Sequence, residues 1–255
     1  MLHYVYGDSS RIFVNTAIGC EARCEYCYLP QLGINGVSQY EKAENILEKL
    51  QSLEYFISGE QGTVVSIGCY SECWSPQNRS ETIKLISAIA GMGNYIQLAT
   101  KKTIETQDLL LLDTLAAYDN QIGIYLSVPT ITHSDQMEKG TDRISKRLSP
   151  LESKYQTKRL YYVLYIKPVL QGITICYCNI YKTLLEKYNI YAVVGTLFTL
   201  DAYNKSDVLV GEGNFKEIIV NDVDYLKDKI SFSDKVFAHS TEVIEYIRER
   251  RTLGK

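Results

Sequence analysis

The chain has 255 residues, 27 Lys and Arg against 30 Asp and Glu, a formal charge of −3 and a hydrophobic share of 45%. This composition excludes a disordered chain, and the acidic balance gives no general electrostatic attraction to nucleic acid, which relies on Lys and Arg to neutralise phosphates. No apolar run reaches bilayer length, and residues 1–10 (MLHYVYGDSS) lack the basic start and apolar stretch of a secretory signal. A cytoplasmic protein without a membrane partner is therefore expected.

A strand-then-helix rhythm runs along the chain. Residues 11–17 (RIFVNTA) are rich in β-formers, and 39–53 carry apolar residues at helical spacing, among them Ala43, Ile46, Leu47 and Leu50. The alternation repeats in strand 62–68 with helix 80–90, and in strand 95–100 with helix 106–117. Residues 121–128 read as a fourth strand, 160–167 as a fifth followed by helix 173–188, and 190–199 as a sixth. Past residue 200 the pattern weakens to an irregular region, a strand near 235–238 and a final helix over 241–251. Near-continuous apolar strands separated by helices imply a parallel sheet covered by helices. The expected fold is thus α/β, a partial (β/α)6 TIM-like barrel over residues 1–200, with a C-terminal extension, 201–255, packed on it.

Seven cysteines, odd in number and with three packed into eight residues, make a poor disulfide framework and read as metal ligands or buried thiols. Residues 19–28 (GCEARCEYCY) give the spacing Cys20-x3-Cys24-x2-Cys27, placed after the first strand. Three thiolates on a short loop hold three corners of a cubane cluster and leave the fourth iron open. The competing reading is three buried or zinc-binding thiols; a closed zinc site needs a fourth ligand, and His3, His133 and His239 are the histidines that exist. Cys176 and Cys178, at i and i+2 of the expected helix, do not face one way, so packing is their expected role. Most of the 21 tyrosines are expected to be half-buried packing residues.

The cysteine spacing, with Tyr26 before the last cysteine, resembles the signature of the radical S-adenosylmethionine (SAM) superfamily. Within it, the chain is most similar to the spore photoproduct lyase-like group, in Gly19-Cys20 through Cys24, Tyr26 to Leu29, and Gly33. The likeness extends to Ser71-Glu72, Thr100-Lys101, Ser127, Glu138, Gly140-Thr141, Lys146-Arg147 and Lys167-Pro168, in family order and at expected strand ends.

The resemblance implies a [4Fe-4S] cluster on Cys20, Cys24 and Cys27, with SAM on the open iron. An electron from a reductant such as flavodoxin or ferredoxin then cleaves SAM to a 5′-deoxyadenosyl radical that takes hydrogen from substrate. It further implies that Tyr26, Ser71, Glu72, Lys101, Ser127 and Arg147 contact the cofactor, Arg147 alternatively serving as half of an ion pair. Cys69 stands where the group carries a hydrogen-donating cysteine, the alternative being a small packing residue; Cys73, four residues on, invites the same two readings. Residues 139–159 hold seven basic side chains against Asp142 and Glu152. Together with the family this points to a nucleotide or nucleic-acid substrate. Peptide modification is the runner-up, and a non-catalytic iron–sulfur or zinc sensor is the alternative of a different class.

Overall fold

The computed structural model describes residues 3–34, 36, 38–199, 207–210, 213–218, 220–231 and 234–253. Its centre is an eight-stranded sheet of β1 (Val5–Gly7), β2 (Arg11–Val14), β3 (Val64–Ile67), β4 (Ile96–Thr100), β5 (Ile122–Ser127), β6 (Leu160–Ile166), β7 (Tyr191–Val194) and β8 (Val236–Phe237). The strands stand side by side in chain order. β1 pairs antiparallel with β2, and every other neighbour is parallel, as in Arg11↔Val64, Ile96↔Ile122 and Ile122↔Leu160. Among the described residues β1 and β8 do not pair, so the sheet is open.

Sequential parallel order has a consequence for packing. Crossovers of one hand carry every connecting helix to the same side of the sheet. That side receives α1 (Ala43–Gln51), α2 (Arg79–Gly91), α3 (Thr106–Leu115), α4 (Ile144–Leu148), α5 (Cys178–Tyr188) and α6 (Asp222–Ile230). Alternate strand residues face these helices: Val65, Ile96, Ile124, Leu126, Tyr162 and Leu164 share one core with Leu50, Leu85, Ile89, Leu109, Leu112, Leu185 and Leu226. Each such buried aliphatic side chain contributes about 1.5–3 kcal/mol.

The intervening residues face the other way and need a different cover. Val64, Tyr125, Tyr161, Val163 and Val193 pack on Val243, Ile244 and Ile247 of the final helix, α7 (Ser240–Leu253). Arg248 of α7 donates to the carbonyls of Glu60 and Gly62, just ahead of β3. The helix therefore plugs the amino-terminal half of this face and leaves the carboxyl ends of the strands open.

The differences from expectation are local. The first strand is shorter, and Ala17–Ile18 pairs instead with Gln39–Tyr40, so helix α1 starts at Ala43. A 3-10 turn, Thr174–Tyr177, precedes α5, and Cys176 and Cys178 fall in different elements. Leu197–Thr199 leaves the main sheet to pair with Gly213–Ile218, itself paired with Asp207–Val210; the region expected to be irregular thus holds an antiparallel sheet. The expected domain boundary at 200/201 lies outside the described residues. More tyrosines are buried than expected, and several of their hydroxyls find partners: Tyr125 accepts from Gln97 Nε2 at 2.9 Å, and Tyr181 donates to the Val128 carbonyl at 2.7 Å. Among the described residues no helix is long and apolar enough to cross a membrane.

Candidate active site

A cavity of about 320 Å³ opens at the carboxyl ends of the strands, the end where parallel α/β sheets gather their chemistry. Cys20, Cys24 and Cys27 line one wall, on the loop that follows β2. Backbone hydrogen bonds set that loop. Gly19 donates to the Tyr70 carbonyl at 2.9 Å and Cys27 to that of Cys24 at 3.0 Å; a 3-10 turn, Leu29–Leu32, then ends on left-handed Gly33. The segment after β5 clasps the loop from the other side, through a bridge of Cys24 with Glu138 and a Gly140 amide donating to the Ala22 carbonyl at 2.8 Å. Gly140 is required at this contact, since a Cβ there would sit 2.3 Å from the Glu21 carbonyl oxygen.

All three thiols are partly buried, and burial is the main reason their acidity falls. Cys20 is pushed up to about 12 and Cys24 to about 11, and Cys27 is raised as well; the Lys101 ammonium pulls the last two back. Among the described residues no three Cys, His, Asp or Glu side chains converge on one point as a single metal ion demands. Three thiols on one loop are, in type and number, the donors that an iron–sulfur cluster with one open corner uses.

The same cavity is lined by polar groups from the ends of β3, β4 and β5. Lys101 Nζ donates to Ser127 Oγ at 2.6 Å and lies 3.9 Å from a Glu138 oxygen. Glu72 accepts from the Lys101 amide at 2.9 Å, from the Trp74 amide at 3.1 Å and from the Thr100 hydroxyl. Ser71 lines the cavity too, and the Tyr26 hydroxyl donates to Glu138 while Lys101 sits 5.6 Å from the Tyr26 ring centroid. The sequence-derived set Tyr26, Ser71, Glu72, Lys101 and Ser127 is thereby gathered around one cavity.

Arg147 is placed otherwise. Its guanidinium lies behind the wall, bonded to Glu138 at 2.6 Å, to the Asp142 carbonyl and to the Thr141 hydroxyl, so it holds the site's frame and does not reach the cavity. Cys69 and Cys73 separate likewise. Cys69 lines the cavity, its thiol raised to about 11 by burial against the pull of Arg11 and Lys167. Cys73 is sealed in the helix-side core, with Sγ 3.4 Å from the Ala99 carbonyl, and packs. None of the basic side chains of 139–159 lines the cavity: Lys139 pairs with exposed Glu25 on the cysteine loop, and Arg159 bonds the Ala116 carbonyl ahead of β6, at the far end.

Glu138, the hub joining Tyr26, Lys101 and Arg147, escaped the sequence reading as a site residue, although it stood in the family-like run. Arg11, Gln97, Lys167 and His239 also line the cavity. Gln97 had a legible signal, a polar residue inside an apolar strand; Arg11 and His239 had none.

No family model and no curated protein matches this chain. Among solved structures it is similar to Streptococcus suis SuiB, determined bound to the precursor peptide SuiA, with a TM-score of 0.55 and 14% identity over 94% of this chain. The chain spans 46% of SuiB, less than half its length, and the likeness is one of fold: mixed α/β with a mostly parallel sheet.

Proposed function

We propose that this chain is a radical SAM enzyme, its open sheet a partial barrel of the kind that superfamily uses, with residues 1–200 as the barrel and 201–255 as the extension. The observation that carries the reading is the gathering around one cavity of Cys20, Cys24 and Cys27 with Lys101, Ser127 and Glu72. The three thiols fit a [4Fe-4S] cluster by donor type and count. When bound, cluster and SAM supply one-electron chemistry: reductive cleavage to a 5′-deoxyadenosyl radical that abstracts hydrogen from substrate, with flavodoxin or ferredoxin as the reductant class.

The protein's own residues bind, orient and exclude water. Lys101 and Ser127 offer an ammonium and a hydroxyl to the carboxylate or ribose of SAM; Glu72, oriented by two backbone amides, offers a carboxylate to its amino group. Tyr26 keeps the cluster loop docked through Glu138. Cys69, facing the cavity with its proton retained by burial, is suited to return a hydrogen atom to a product radical.

For the substrate, peptide modification has two supports: the similar fold of SuiB was captured with a precursor peptide, and the basic stretch that favoured nucleic acid does not converge on the cavity. Electron paramagnetic resonance of the anaerobically reconstituted, reduced protein tests the cofactor assignment. The proposal predicts a [4Fe-4S]+ signal that changes when SAM is added. A signal indifferent to SAM favours the sensor alternative and overturns the enzyme reading.

A further inference from the structure

The cavity wall continues beyond Ser127. Strand register sets Tyr165 of β6 beside Ser127, Val193 of β7 beside Tyr165, and Phe237 of β8 beside Val193. At this end the lining includes Tyr165, Thr196 just past β7, and His239 between β8 and α7, together with Arg11 and Lys167.

The polar groups here differ in what they already hold. The Arg11 guanidinium donates to Ser240 Oγ at 2.8 Å and lies 4.5 Å from the Phe13 ring centroid, and Lys167 has a partner of its own. Three neutral groups are uncommitted. Among the described residues the Tyr165 hydroxyl and the His239 ring have no hydrogen-bond partner, and the Thr196 hydroxyl is buried without one.

An unpaired buried hydroxyl costs stability that a valine of the same shape would not. The Thr196 hydroxyl and methyl exchange by one staggered χ1 step, which turns the hydroxyl to the cavity. A partner that arrives with a ligand accounts for its presence. The frame around it is fixed, by contrast. The Tyr165 ring stands edge-on to Tyr125, with centroids 5.8 Å apart; Gln97 Nε2 donates to the Tyr125 hydroxyl at 2.9 Å and to the Ser240 carbonyl, next to His239, at 2.7 Å.

We propose that Tyr165, Thr196 and His239 form a substrate subsite for an uncharged amide. It rests on the enzyme reading above and adds a determinant of which substrate is taken. Two hydroxyls and a neutral imidazole each both donate and accept. An amide answers both capacities, with its N–H and its carbonyl, whereas an ester or a carboxylate only accepts. The Tyr125 and Tyr165 rings and Ala99 give its substituents apolar sides. A backbone peptide bond and a side-chain carboxamide share this chemistry.

The test is saturation-transfer magnetic resonance on the reconstituted protein, saturated with SAM and kept oxidised. Four probes of one size are titrated: N-methylbutyramide for a backbone amide, butyramide for a side-chain amide, methyl butyrate as the ester, and butyrate as the carboxylate that Arg11 and Lys167 would attract. One amide is expected to bind about 2- to 10-fold more tightly than the ester and the carboxylate, and which amide does so identifies the source of the group. Tyr165→Phe and His239→Leu should each weaken it by a similar factor, with iron content checking that each variant folds. Thr196→Val should weaken it too while raising the urea midpoint of the empty protein. A merely structural hydroxyl does not produce those opposite changes.

Equal binding of amide and ester overturns the subsite, as does tighter binding of butyrate, loss of amide binding when SAM is added, or amide binding undiminished in all three variants. The two readings separate cleanly. SAM cleavage without amide-selective binding removes the subsite alone, and amide-selective binding without cleavage supports the subsite and removes the enzyme reading.

Discussion

Arg147 donates to Glu138 at 2.6 Å, and the two side chains are 1% and 0% exposed. Glu138 also receives the Tyr26 hydroxyl from the cysteine loop and faces Lys101 at 3.9 Å. One sealed carboxylate thus ties the loop after β2 to the ends of β4 and β5. The position of Cys24 and Cys27 relative to Lys101 depends on this knot.

Removing one partner of a buried pair leaves an uncompensated charge, which costs about 3–5 kcal/mol. Arg147→Met is expected to lower stability by that amount in urea unfolding. Adding Glu138→Leu should recover part of it, since the buried carboxylate is removed, although Tyr26 and Lys101 lose their partner. A single variant within about 1 kcal/mol of the parent contradicts the role given to the pair.

Lys101→Met removes the ammonium beside Ser127 and leaves the three cysteines in place. A charge-assisted hydrogen bond contributes about 1.5–3 kcal/mol, so SAM affinity should fall roughly 10- to 100-fold. Iron content should be unchanged. Equilibrium titration of SAM into the reconstituted variant checks both expectations, and undiminished affinity removes Lys101 from the SAM contacts.

Thiol acidity gives a pH prediction for the protein before cluster loading. The thiolate is the reactive form, and Cys24, raised to about 11 from 9.0, holds about a hundredfold less of it at pH 8 than an unperturbed thiol. Alkylation of Cys24 by iodoacetamide, followed by peptide mapping, should accelerate about tenfold per pH unit from pH 8 to near pH 11. Cluster uptake, which releases those protons, should strengthen in the same direction. A rate that levels off by pH 9 contradicts the burial of the loop.

Gly140→Ala places a Cβ against the Glu21 carbonyl. Overpacking of this kind costs about 1–3 kcal/mol, and the backbone at 21–22 cannot yield without moving the cysteines beside it. Iron incorporation should drop while the far-ultraviolet dichroism stays native. Full incorporation shows that the clasp is dispensable.

The sequence made the parallel strands legible because burial on both faces leaves them nearly continuously apolar. It made the cysteine loop legible because ligand spacing is local. What it hid was long-range. Nothing near Glu138 announces that Arg147, Lys101 and Tyr26 converge on it, and nothing near α7 shows which face of the sheet it covers. β1 was missed because three residues, Val5 to Gly7, are too few to display alternation. The strands at 207–210 and 213–218 were missed because Gly211 and Glu212 break a short run that reads as irregular. Arg11 appeared as the ordinary first residue of a strand, and its reach over Phe13 toward Ser240 is set by a helix more than two hundred residues away.

The most direct test is chromatographic detection of 5′-deoxyadenosine after anaerobic reconstitution and chemical reduction with SAM. The account predicts that the parent protein releases 5′-deoxyadenosine and methionine, and that Cys24→Ala loses both the cluster and this release. A fully loaded, reduced parent that leaves SAM intact, or a Cys24→Ala protein that still cleaves it, contradicts the account.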